Sequence, residues 1–165
     1  MTTYVSLPIT RAVLKELRSA DDAGRRMVPV TDEEGGAPLR CCLRRSERGE
    51  VIALVSYAPL RRWAARAGVD PGAYDEQGPV FIHAEECGGP AGQGYAFTGA
   101  RRTVRRYSAD GHILGGRLVE SATGAAGFDQ AFEEAFEEAF ADPDVALVHV
   151  RAVEYGCFLY EVGRR

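Results

Sequence analysis

Phenylalanine recurs every four residues at Phe128, Phe132, Phe136 and Phe140, with Glu133, Glu134, Glu137 and Glu138 between them. A helix places residues four apart on one face, and the glutamates between them and the length of the segment fit a helix rather than a strand. Asp142-Pro143 stops it. The spacing therefore predicts a helix over about 128–141, with an aromatic ridge that must be buried and glutamates facing water. A flat apolar partner surface is required, and a β-sheet is the natural one.

The rest of the chain supplies strands for that sheet. Strand patterns appear at Tyr4–Leu7, Val51–Tyr57, Val80–Ala84, Arg102–Tyr107, His112–Val119, Val145–Val153 and Cys157–Val162. Asp110-Gly111 and Glu154-Tyr155-Gly156 read as hairpin turns, the second with a positive φ at Gly156. A short helix is expected at about 10–18, where Val13, Leu14 and Leu17 share a face, and another at Leu60–Ala67 around the single tryptophan, Trp63. The expected fold is α+β: one domain over residues 1–165, mainly antiparallel, with two main helices. A chain of 165 residues buries a sizeable core without a second domain.

A net charge of −4 and a pI near 5.5 argue against a general nucleic-acid surface. No run approaches the ~18 apolar residues of a transmembrane helix, and Met1–Pro8 lacks the features of a secretory signal. The expectation is a cytoplasmic protein with reduced cysteines and no membrane partner. Gly88-Gly89-Pro90-Ala91-Gly92-Gln93-Gly94 lacks the Gly-Lys-Ser/Thr of a phosphate loop and is read as a loop that covers a site.

Side chains alternate along a strand. His149 and Arg151 therefore share one face, opposite Ala146, Val148, Val150 and Ala152. Arg105 and Tyr107 pair likewise, as do Phe81 and His83. If these strands lie in one sheet, His83, Arg105, Tyr107, His149 and Arg151 line a common polar surface. Three chemistries compete for it. In the first, Arg105 and Arg151 clamp a small anion, with Tyr107 orienting it and Arg40 contributing positive charge. His83 and His149 are the candidate acid–base groups. In the second, a cysteine acts as nucleophile. Cys42, Cys87 and Cys157 are the candidates, with His83 or His149 as base, and the turn places Cys157 near Arg151. Arg40, Arg44 and Arg45 flank Cys41-Cys42, and a reversible Cys42–Cys87 disulfide is a related option. In the third, Cys42, His83, Cys87 and Cys157 form a tetrahedral zinc site, with Glu85 or Glu86 as a base if water completes it. The anion reading is preferred, with no cofactor. Zinc is the alternative cofactor.

Several motifs in order resemble one bacterial family. They are Pro38-Leu39-Arg40-Cys41-Cys42-Leu43 before Gly49-Glu50 and Ser56-Tyr57, Gly78-Pro79-Val80-Phe81-Ile82-His83 with Cys87, Arg105-Arg106-Tyr107, and Val148-His149-Val150-Arg151 with Gly156-Cys157-Phe158. Together, over roughly Tyr4 to Val162, the chain resembles the domain-of-unknown-function 1203 family. The resemblance implies a small bacterial α+β domain and supplies no activity. The family pattern is Pro-Cys-Arg-x-Cys, whereas Leu39 stands at the first cysteine here, and Arg61–Gly72 looks inserted. Cys41 replaces the missing thiol only with a different geometry, because adjacent residues on an extended chain point opposite ways.

Overall fold

The computed structural model describes residues 2–92, 94–121 and 127–165. Gln93, in the glycine-rich loop, lies outside the described residues. In chain order the elements are β1 (Tyr4–Leu7), α1 (Arg11–Leu17), β2 (Val30–Thr31), β3 (Pro38–Leu39), β4 (Arg44–Arg45), β5 (Val51–Tyr57) and α2 (Pro59–Ala67). A 3-10 turn (Gly72–Tyr74) then leads to β6 (Gly78–His83), β7 (Arg102–Ser108), β8 (Ile113–Val119), α3 (Phe128–Ala141), β9 (Val145–Ala152) and β10 (Phe158–Arg164). The α+β class and the phenylalanine helix are as the sequence indicates. No described helix is long and apolar enough to cross a membrane.

The strands form two sheets rather than one. The first has the order β1-β10-β9-β7-β8 and is antiparallel throughout. The second has the order β2-β5-β6-β3-β4 and contains one parallel pair, β3 with β6. Strands of two residues carry no periodicity, which is why β2, β3 and β4 leave no pattern in the sequence.

Helix α3 covers one face of the first sheet. Phe132 and Phe136 are fully buried against Val104, Val148, Val150 and Leu159. Phe140 stacks on Tyr4, at a centroid distance of 5.3 Å, and so ties the helix to β1. Gly163 on β10 leaves room for Leu7, whose side chain would lie 2.8 Å from an added Cβ.

The other face of that sheet was expected to be polar and open. It is buried as well. The register pairs Arg105 with His149, Thr103 with Arg151 and Tyr107 with Leu147, so the predicted facial alternation is present. However, α2 lays Leu60 and Trp63 against Tyr107 and Leu147. Phe158 joins this face to the core of the second sheet through Tyr57. His149 is 1% exposed, edge-on to Tyr107 and Phe158 at 5.0 and 4.9 Å. His83 is on β6 in the second sheet, so it does not share a surface with Arg105, Tyr107, His149 and Arg151.

Two outcomes follow from this packing. Phe136→Ala should cost about 3–5 kcal/mol, read as a lower midpoint in urea unfolding. Burial, reinforced by Arg151 and Arg105, holds His149 neutral, its pKa pushed down to about 3. The unfolded chain takes up this proton near pH ~6.5. Stability should therefore be full above that value and fall as pH drops toward 3. His149→Phe should flatten the slope between pH ~5 and ~6.5, as measured by urea unfolding across that window.

Candidate metal centre

The β3–β4 connection is a tight turn, Arg40–Leu43, closed by the Leu43 N–H on the Leu39 carbonyl at 2.9 Å. Leu43 has a φ of 54°, a left-handed conformation rare for a branched side chain. The turn, unlike an extended chain, puts two adjacent side chains on the same side. Cys41 and Cys42 are 2% and 6% exposed, with their sulfurs 3.9 Å apart.

Parallel pairing brings the histidine to them. Leu39 lies beside Phe81, so Cys41 and His83 each follow that register point by two residues along parallel chains. The Arg40 N–H donates to the Phe81 carbonyl at 2.9 Å, and the His83 N–H donates to Cys41 Sγ at 3.2 Å. His83 Nδ1 is 3.4 Å from Cys41 Sγ and 3.7 Å from Cys42 Sγ. The chain bends after His83 and returns Cys87. The ligand atoms of Cys41, Cys42, His83 and Cys87 all lie within 4.8 Å of one another.

The three separations among Cys41, Cys42 and His83 are close to the edges of a metal tetrahedron. Zn–S bonds of about 2.3 Å and Zn–N bonds of about 2.0–2.1 Å give S···N edges of about 3.6 Å and S···S edges of about 3.8 Å. The far ring nitrogen is also fixed. His83 Nε2 lies 3.0 Å from Glu50 Oε1. Arg44 grips both Glu50 oxygens, at 2.9 and 2.5 Å. Arg44 and the Glu47 N–H hold the Glu50 carboxyl far below the usual carboxylate range. An ionised Glu50 accepts a hydrogen bond from the Nε2–H, which leaves the Nδ1 lone pair facing the sulfurs. Between the thiols, Cys41 donates to Cys42. This contact and burial push the Cys41 thiol up, while the same contact draws Cys42 down.

The set differs from the sequence-based one in a single ligand: Cys41 replaces Cys157. Cys157 lies in the β9–β10 turn with its side chain against the Arg40 guanidinium. All four cysteines are free. The turn supplies the different geometry that Cys41 needs to act beside Cys42, which an extended chain does not. Glu50 and Arg44 were not read as partners of His83, although a glutamate just after a turn glycine, Gly49, is the available signal. Glu86, one of the two candidate bases, is exposed and pairs with Arg11. Cys41 and Cys87 border an open groove of about 1390 Å³, walled by α1, Arg62 and Arg66 of α2, and Gly88–Pro90.

The remaining candidates lie elsewhere. Arg40 is 2% exposed and donates from Nε to the Phe158 carbonyl at 2.8 Å, joining the two sheets. Arg105 and Arg151 converge on Glu76 Oε1 at 2.7 and 3.1 Å. Tyr107 is buried on the same strand face as Arg105 and packs edge-on against His149.

No curated protein and no solved structure matches this chain. A family described as "Protein of unknown function (DUF1203)" matches residues 36–164, a span that includes every residue of the cluster and its Glu50–Arg44 support. β1 and α1 precede the matched region, yet β1 pairs with β10 along its whole length and belongs to the same sheet. The chain belongs to the DUF1203 family.

Proposed function

We propose that this protein is a zinc-binding domain, with one Zn²⁺ held by the sulfurs of Cys41, Cys42 and Cys87 and by His83 Nδ1. The observation that carries the reading is the clustering of three sulfurs and one imidazole nitrogen within 4.8 Å of one another, reached from two separate segments. Three thiolates and one imidazole suit zinc among the common divalent ions. Four protein ligands close the coordination sphere, so the role is structural. The ion fastens the β3–β4 turn to the end of β6 and the segment that follows. Glu50 supports the centre from outside by orienting His83.

This reading ranks above the anion clamp because Arg105 and Arg151 share a protein carboxylate in the native chain, whereas the four ligand atoms of the Cys/His cluster converge closely enough to hold one ion. It also assigns His83 a ligand role in place of the acid–base role suggested by its strand position.

Elemental analysis of the purified protein should find one zinc per chain. Cys42→Ser and Cys87→Ser should lose it, and Cys157→Ser should keep it. Absence of zinc, together with no thermal shift on adding Zn²⁺ to the reduced protein, would overturn the reading. Glu50→Gln should weaken zinc about 10–100-fold in a chelator competition while leaving the stoichiometry at saturation unchanged. Stripping the metal should lower Tm by about 5–10 °C, equivalent to about 2–3 kcal/mol for a chain of this size.

A further inference from the structure

A second constellation sits on the opposite side of β6's neighbourhood, and the zinc reading does not use it. Arg105 of β7 and Arg151 of β9 point into the zone between the first sheet and the 3-10 turn segment. Both end on the same oxygen, Glu76 Oε1, at 2.7 and 3.1 Å. Neither makes another ion pair among the described residues. Two guanidiniums thus share one carboxylate and leave a net positive charge. Their side chains are 26% and 11% exposed, so that charge is only partly screened by water.

The carboxylate comes from the solvent side. Glu76 lies between the 3-10 turn and β6, with its side chain 46% exposed. Beneath it, a cavity of about 10 Å³, bordered by Arg151, Tyr57 and Phe158, has room for about one water-sized group. Arg151 is held from its own strand end: its Nε donates to the Gly156 carbonyl at 2.9 Å. His149, the register partner of Arg105, is buried with its Nδ1 lacking a hydrogen-bond partner. The arginines are thus largely enclosed, while the carboxylate reaches them from a surface segment.

We infer that Arg105 and Arg151 form a receptor for a small carboxylate anion, and that Glu76 is a resident carboxylate which such a ligand displaces. Glu76 brings both arginines to one oxygen because its position is set by the chain. An untethered carboxylate can offer one oxygen to each guanidinium, the stronger arrangement. Its body would extend into solvent where the Glu76 stem now lies. Tethering gives Glu76 a high effective concentration, so the native protein should bind such ligands weakly.

The test uses Glu76→Ala, a substitution at an exposed position, with acetate and succinate as probes in calorimetric titration at matched ionic strength. Glu76→Ala should bind one of them saturably, at least tenfold more tightly than the native chain. The double variant Glu76→Ala/Arg105→Gln should lose that gain. No saturable binding by Glu76→Ala, or binding unchanged by Arg105→Gln, would overturn the receptor. Saturable binding of inorganic phosphate with none of either carboxylate would overturn the ligand class. Zinc content measured on the same samples keeps failure here separate from failure at the cysteine cluster.

Discussion

One short parallel pairing positions the candidate centre. Strand β3 is two residues long, and its only parallel register point is Leu39 beside Phe81. That contact, with the Arg40 N–H on the Phe81 carbonyl, sets Cys41 level with His83. A shift of one residue in this pairing would move the turn that carries Cys41 out of level with His83. The pairing is secured by groups at its ends. Leu39 is fully buried in the second core, and the Arg40 guanidinium is anchored on the Phe158 carbonyl of the other sheet. A buried arginine that bonds only neutral acceptors costs stability. Here, burial draws its pKa down to about 10 despite the nearby Cys157. In return, it locks the two sheets at the point where the cysteine turn begins.

The two-sheet arrangement explains why polar residues on one strand face took different roles. The first sheet is covered on both sides, by α3 and by α2 with the second sheet. A polar side chain directed into such a layer must find a partner or be held neutral. His149 is held neutral between two rings, and the arginines take Glu76. His83 stands at the rim of the second sheet, where Glu50 and the thiols reach it from opposite sides. The proposed metal centre and the proposed carboxylate site are thus separate consequences of the same layering.

The helical ridge, the long strands, their turns and the facial grouping of Arg105, Tyr107, His149 and Arg151 were legible from local pattern. Periodicities of four and two are written directly in the residues, and register then follows from alternation. The metal cluster was legible only in part. His83, Cys42 and Cys87 stood out by type, but Cys41 was misplaced because a four-residue turn was read as extended chain. Its left-handed Leu43 has no compositional mark.

The sequence by itself determined the fold class, the buried aromatic face of α3 and which residue types could carry chemistry, because these depend on spacing along the chain. Only the tertiary structure decided which of those residues meet. It placed Cys41 rather than Cys157 beside His83, put His83 and His149 in different sheets, and brought Glu50 and Glu76 to their partners. Each of these contacts joins segments whose separation in sequence carries no information about their distance in space. Each is set by strand pairing and layer packing acting at long range.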